Sequence, residues 1–169
     1  LALELAKEVN PDIIFATDPD CDRVGVIVKD REGVDQVLSG NQIGMLLTYY
    51  LLKAKKEEGT LPENGVIIKT IVSTESVRKM AEEFHVELLD VLTGFKYIGE
   101  KIEEYQETKE KSFIFGFEES FGYLAGTFAR DKDAVVASML LCEIATYYKT
   151  KDMTLYDALI EIYDRYGYF

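Results

Sequence analysis

Apolar positions along this chain follow two periods, and the switching between them predicts the elements. Residues 1–9 space their leucines and alanines in helical fashion and stop at Asn10-Pro11. Short apolar runs at 12–16 and 24–29 read as strands, with Asp30-Arg31-Glu32-Gly33 as the turn after the second. A helix is expected over 41–58, capped at its end by Gly59, with Lys53, Lys55 and Lys56 complementing its dipole. The β-branched run at 65–72 predicts a strand. Ser73 or Thr74 is placed to cap the next helix, in which Val77, Met80, Ala81 and Phe84 form one apolar stripe. A strand over 86–92 breaks at Thr93-Gly94, and Phe95, Ile98, Ile102 and Tyr105 mark the following helix. Phe113-Ile114-Phe115 reads as a strand, and a loop through Gly126 leads to a long helix over 132–149. The last helix opens at Thr154, with Asp157 supplying a capping box, and ends at Gly167. Strands alternating with helices predict an α/β fold with a largely parallel sheet, in which ligands gather at the carboxyl ends of strands.

Composition narrows the partners. The 169 residues are 47% hydrophobic and 30% charged, ordinary for a globular protein. A formal charge of −12, from 31 acidic and 19 basic residues, argues against nucleic acid and against an anionic membrane surface. It does not exclude a small phosphorylated ligand held by a local cationic cluster. The apolar stretch 134–148 is too short to span a bilayer and contains Glu143, so the cytoplasm is the expected location. Cys21 and Cys142 have no metal-ligand spacing; Cys142, in an apolar helical run, is expected in the core. The lone histidine, His85, reads as a surface residue at a helix end. The chain opens without methionine and ends on Tyr-Gly-Tyr-Phe, and both ends read as those of a piece of a longer polypeptide.

The densest chemistry lies between the first two strands, in Asp18-Pro19-Asp20-Cys21-Asp22-Arg23. Adjacent carboxylates repel, and each tends to raise the pKa of the next. A hard divalent cation relieves that repulsion, since oxygen is the donor Mg²⁺ or Ca²⁺ prefers. Arg23 is then free to hold a phosphate or carboxylate in its planar fork. Asp-Pro-Asp alone is turn chemistry, but the third Asp in step and the arginine favour a site. An EF-hand loop starting at Asp18 needs glycine and glutamate where this chain has Arg23 and Lys29, which excludes it. A phosphatase of the haloacid dehalogenase type also opens with Asp-x-Asp, usually with Thr or Val where Asp22 stands here.

Three further segments carry candidate chemistry. Gly116-Phe117-Glu118-Glu119-Ser120-Phe121-Gly122 sets carboxylates and a serine between glycines, able to accept hydrogen bonds from vicinal sugar hydroxyls. Thr93-Gly94-Phe95-Lys96 puts glycine at a helix start, where an anion can be held. Arg130-Asp131-Lys132-Asp133 is a charged cluster that opens a helix.

In this order and at this separation, the segments resemble the α-D-phosphohexomutases, the phosphoglucomutase and phosphomannomutase family, over nearly the whole chain. Asp18 to Arg23 is similar to the family's metal loop, Glu118 to Gly122 to its sugar-binding loop, and Glu-Glu-Ser is the form more like phosphoglucomutases. Where the family has glycine before the first of these glutamates, this chain has Phe117. The resemblance implies the end of a second domain (residues 1–36) followed by a third domain (37–169), a three-layer α/β/α unit with a mixed, largely parallel sheet. It also implies Mg²⁺ on Asp18, Asp20 and Asp22, Arg23 and Lys132 in catalytic roles, and substrate contacts from Thr93, Gly94, Glu118, Ser120 and Arg130. The implied partners are a hexose phosphate and the missing domains of the same polypeptide. Those domains would carry the phosphorylated serine in a Ser-His-Asn-Pro setting that no serine of this chain has. The implied reaction interconverts hexose 1-phosphate and hexose 6-phosphate through a bisphosphate. A non-catalytic module binding a divalent cation or sugar phosphate, and the dehalogenase-type phosphatase, are the alternatives.

Overall fold

The computed structural model of the chain describes residues 2–168. Helices α1 (Ala2–Val9), α2 (Gly40–Glu57), α3 (Ser76–Phe84), α4 (Phe95–Thr108), α5 (Ala134–Lys149) and α6 (Leu155–Tyr166) fall where the 3.6-residue period puts them. Their ends are set by capping chemistry. Ser39 and Gln42 form a capping box on α2, starting it just before the expected position. Asp133 caps α5 by accepting from the Val136 amide, which leaves Lys132 outside the helix predicted to contain it. The expected box on α6 is present: Thr154 accepts from Asp157 N–H, and the Asp157 carboxylate accepts from the Thr154 amide. Thr154→Ala is therefore expected to cost about 1 kcal/mol, to be read from thermal denaturation. On α3, by contrast, neither Ser73 nor Thr74 is the N-cap; Glu75 is, and its side chain makes no capping hydrogen bond to the helix backbone.

The strands are β1 (Ile13–Thr17), β2 (Val24–Lys29), β3 (Asp35–Leu38), β4 (Gly65–Thr70), β5 (Glu87–Val91), β6 (Ser112–Glu118) and β7 (Gly122–Ala125). Two of them, β3 and β7, were not expected. Each has four residues, too few to show alternation, and β7 lies in a glycine-bounded stretch that reads as loop. They build two sheets, an antiparallel one in the order β1-β2-β3 and a mixed one in the order β5-β4-β6-β7. In the second sheet β4 is parallel to β5 and β6, and only the β6–β7 hairpin is antiparallel.

Alternation of side chains across β4 sorts the layers. Val66 and Ile68 face α4, where Phe95, Ile98, Ile102 and Tyr105 close one core. Ile67 faces the other side, into a larger core shared with α2, α3, α5 and α6. The fold is thus a three-layer α/β/α sandwich around a mixed sheet. The small sheet has no core of its own: Val24, Val26, Val28 and Leu38 are buried in the larger cluster, and a boundary between residues 36 and 37 falls inside β3.

Cys142 departs from expectation. It is exposed on α5, because the buried stripe of that helix runs through Ala137, Leu140, Leu141, Ile144 and Tyr148 and the next position after Leu141 turns away. His85 is exposed at the end of α3, in a left-handed conformation. Among the described residues, no helix is long and apolar enough to cross a membrane.

Candidate functional site

The acidic loop closes the β1–β2 hairpin and is folded by its own first residue. Asp18 Oδ1 accepts from the backbone amides of Asp22 (3.2 Å) and Arg23 (3.1 Å), and Oδ2 accepts from Arg23 Nε at 2.7 Å. Cys21 takes a left-handed φ of 56°, reversing the chain. As a result the carboxylates of Asp18, Asp20 and Asp22 converge, with ligand oxygens all within 4.8 Å of one another. Repulsion does not raise Asp18; the hydrogen bond from Arg23, helped by the backbone amide, holds it well below the usual carboxylate range. The same pairing raises Arg23. Only Nε of its fork is used, so its terminal nitrogens are without a hydrogen bond among the described residues.

Of the Glu-Glu-Ser loop, Glu118 ends β6, and Glu119, Ser120 and Phe121 make the three-residue turn of the β6–β7 hairpin, with Phe121 in the left-handed position such a turn needs (φ 68°). Phe117 lies below it in the core, stacked on Phe115, in space left by Gly44. Glu118 is buried, at 6% exposure, and its Oε1 accepts from the Gly94 amide (2.9 Å) at the start of α4. Burial raises its pKa, opposed by the Gly94 amide and by Lys132. The helix start read as an anion site thus already holds an anion, supplied by this chain. Glu119 Oε2 accepts from Thr70 Oγ1 at 3.1 Å, at the end of β4. Ser120 and Thr93 are exposed.

These two loops meet. Arg23 forms an isolated antiparallel bridge with Gly122, and the Val24 amide donates to the Phe121 carbonyl at 3.3 Å. Lys132 lies across the junction, with Nζ 2.8 Å from Asp22 Oδ2. Its stem fills the space beside Gly122, where an added Cβ would lie 2.3 Å from Lys132 Cδ. Burial lowers the Lys132 pKa, but Asp22 and Asp131 outweigh it, and the net shift is upward, so the ammonium stays charged. The Ala134 amide at the head of α5 donates to the Cys21 carbonyl (3.1 Å) and fixes the acidic loop from the other side. Asp18, Asp20, Asp22, Arg23, Lys132, Glu118 and Gly94 therefore form one connected rim at the carboxyl end of the mixed sheet.

Among the described residues, no hydrogen bond or ion pair joins the Arg130 guanidinium to that rim. Its guanidinium is engaged with Glu103 and Gln106 on α4 and with the carbonyls of Thr127 and Ala129. Lys96 is exposed, over the ring of Tyr97. A separate hollow of about 540 Å³ lies between the small sheet and α5–α6, but its basic groups are internally paired: Lys29 with Asn10, Arg31 with Asp157, Lys149 with Asp12.

Sequence reading missed Lys69, Thr70 and Gly40. Gly40 is packed against the backbone of the Glu119–Phe121 turn, and the Tyr123 hydroxyl donates to its carbonyl at 3.0 Å. A lysine inside the β-branched run 65–72 was the one available signal, since a charge in a central strand needs partners.

The acidic trio fits a hard divalent cation such as Mg²⁺. Its donors are all carboxylate oxygens, and Asp22 Oδ1 is buried with no hydrogen-bond partner among the described residues, Arg23 Nε lying 3.5 Å away.

Residues 39–166 match the family model described as phosphoglucomutase/phosphomannomutase, alpha/beta/alpha domain III. The chain is 40% identical over 169 residues to a phosphoglucomutase of Staphylococcus haemolyticus, covering 100% of this chain and 30% of that protein. It is likewise 40% identical over 168 residues to a phosphoglucomutase of Staphylococcus epidermidis. The chain thus spans about 30% of the length of these relatives. Among solved structures, a Thermus thermophilus protein provisionally named a phosphomannomutase superposes with a TM-score of 0.71 at 24% identity, covering 96% of this chain and 33% of the other. An N-acetylphosphoglucosamine mutase of Aspergillus fumigatus, in complex with GlcNAc-6P and magnesium, superposes with a TM-score of 0.64 at 14% identity, covering 94% and 36%.

Proposed function

Because this chain belongs to the phosphoglucomutase/phosphomannomutase family, we propose that it supplies the cation loop and the sugar-gripping loop of an enzyme that interconverts hexose 1-phosphate and hexose 6-phosphate, with glucose as the expected sugar. The reading places residues 1–36 in a preceding domain, residues 37–169 in domain III, and the whole in the cytoplasm. The observation that carries it is the Lys132–Asp22 ion pair at 2.8 Å. It joins the acidic loop to the Glu-Glu-Ser hairpin, so that a phosphoryl group beside one lies near a hexose beside the other.

Asp18, Asp20 and Asp22 would hold Mg²⁺, the ion named with the Aspergillus relative. When bound, it would polarise the phosphoryl group and neutralise charge that develops on it. Arg23 directs the free end of its fork at phosphate oxygens. Lys132 stays protonated between Asp22 and Glu118 and stabilises developing negative charge in preference to accepting a proton. Glu118 has one oxygen committed to Gly94, and the other is available to a ring hydroxyl. Ser120 and Thr93 add exposed hydroxyl groups on the same rim, and Gly94 fixes Glu118. Arg130 reaches a substrate only after leaving Glu103 and Gln106.

In this reading a phosphoserine elsewhere in the polypeptide gives its phosphoryl group to a hydroxyl of the hexose monophosphate. The P–O bond to serine breaks, the bond to the sugar oxygen forms, and the hydroxyl proton passes to a base. The bisphosphate then turns over and returns its other phosphate to the serine. Mid-ring hydroxyls are gripped by Glu118 and Ser120 in both orientations.

The test is an assay of the full-length polypeptide with glucose 1-phosphate and mannose 1-phosphate. Turnover of at least one is expected, and none by the isolated 169-residue chain. Absence of turnover in the full-length protein with both sugars and added Mg²⁺ overturns the reading. Turnover by the isolated chain overturns the assignment of the serine to another domain.

A further inference from the structure

Lys69 is completely buried near the end of the central strand β4, and the proposed chemistry does not use it. Its Nζ donates to Glu75 Oε1 (2.8 Å) and to the carbonyls of Thr70 (3.3 Å) and Ser73 (3.2 Å), and lies 2.7 Å from Asp90 Oδ1. Arg78 closes the ring from outside, with Nε 2.7 Å from Glu75 Oε2 and a terminal nitrogen 2.6 Å from Asp90 Oδ2. Charges of alternating sign thus form a square that joins β4, β5 and α3. Glu75 is pushed down to about 2, first by Arg78 and then by Lys69, so its carboxylate stays ionised near neutral pH.

Well-packed apolar side chains in place of the whole square could fill such a site at little or no cost to stability, whereas loss of Lys69 alone leaves its carboxylates short of a partner. Neither replacement could bind the two carbonyls. Those carbonyls belong to the turn after β4, in which Thr70 Oγ1 and Ser73 Oγ are 2.8 Å apart and Thr70 Oγ1 donates to Glu119 Oε2. The Thr74 amide donates to Asn41 Oδ1 at 3.1 Å, tying the turn to the start of α2, beside Gly40. A path of direct hydrogen bonds therefore runs from Lys69 through the turn to the second carboxylate of the Glu-Glu-Ser loop.

We infer that the Lys69–Glu75–Arg78–Asp90 square is a positioning device that anchors Glu119 and so fixes the turn that presents Glu118 and Ser120 to the hexose, so that Lys69 governs sugar recognition without touching the sugar. This rests on the proposed mutase reading for the identity of the ligand, and on the hydrogen bonds alone for the positioning. Lys69 cannot itself reach a ligand while it is fully buried and its protons are committed to four protein oxygens. Thr70 is the link.

The experiment uses the full-length polypeptide and the variants Lys69→Met, Thr70→Val, Glu119→Gln and the double variant Lys69→Met/Glu119→Gln. Amide hydrogen exchange across 117–123 is the first readout. Lys69→Met and Thr70→Val are each expected to speed exchange at 119–121 about tenfold, with β6 unchanged at 113–116. The second readout is steady-state kinetics with glucose 1-phosphate. KM is expected to rise about tenfold in Lys69→Met with a smaller change in kcat, and the double variant to be no worse than Glu119→Gln alone. Unchanged exchange in both single variants overturns the inference, as does a double variant whose loss is the product of the two single losses. If Lys69→Met does not fold, Thr70→Val decides the same point, because it cuts the path without disturbing the charges. If the wild-type protein turns over neither sugar phosphate, the mutase reading fails, and hydrogen exchange still decides the positioning.

Discussion

Asp20→Asn is expected to lower kcat/KM of the full-length protein roughly 1,000-fold, about 4 kcal/mol of transition-state stabilisation, while leaving its thermal midpoint within roughly 2 °C of wild type. The two halves of this expectation have different causes. Asp20 is exposed and accepts no hydrogen bond among the described residues, whereas Asp18 folds its own loop and Asp22 is tied to Lys132. Removing the Asp20 charge therefore costs the fold nothing and relieves some repulsion. It does remove one of three carboxylates whose combined charge sets affinity for a divalent cation. Raising Mg²⁺ is expected to restore part of the lost rate, and an Asp18→Asn variant, which loses structure as well, should be less stable. Activity within threefold of wild type in Asp20→Asn would remove the cation from this loop and with it the proposed chemistry.

Gly40→Ala is expected to destabilise the protein by about 3 kcal/mol, seen as a fall of roughly 8 °C in thermal midpoint. Helix propensity points the other way, since alanine gains up to about 1 kcal/mol over glycine inside a helix. Packing decides the sign. A Cβ on Gly40 would lie 1.9 Å from the Glu119 carbonyl oxygen and 3.0 Å from the Phe121 amide nitrogen, and both are backbone atoms that cannot swing aside. The hairpin turn must lift, and it carries Ser120 and Glu119 with it. A loss of activity larger than the loss of folded protein is therefore expected, measured as kcat/KM on the residual folded fraction. A variant as stable as wild type would show that the turn is free to move, against the close packing on α2.

Local chemistry made much of this molecule legible. The acidic loop is confined to Asp18–Arg23, and its hydrogen bonds run from Asp18 to residues four and five positions on, so its residues announce it in order. The box at Thr154 and Asp157 is likewise a matter of residues three apart. Helix α4 shows its buried stripe plainly because one face meets a single core. Other features depend on distant partners. The short strand β7 exists because β6 offers it an edge, and nothing within Gly122–Ala125 announces a strand. Cys142 is exposed because the stripe of α5 passes one residue to its side. Arg130, given a substrate contact by the family resemblance, is held by α4 in the fold.

The sequence by itself determined the alternation of strands and helices, the family resemblance, and the carboxylates and arginine of the cation loop, since these rest on periods and spacings of a few residues. Only the tertiary structure decided that Lys132 reaches Asp22 from 110 positions away, that Glu118 lies on the amide of Gly94, and that a fully buried lysine stands behind Glu119. Charges exert their force through space, and the order of residues along a chain does not state which of them the packing of a sheet between two helix layers will bring within about 3 Å of one another.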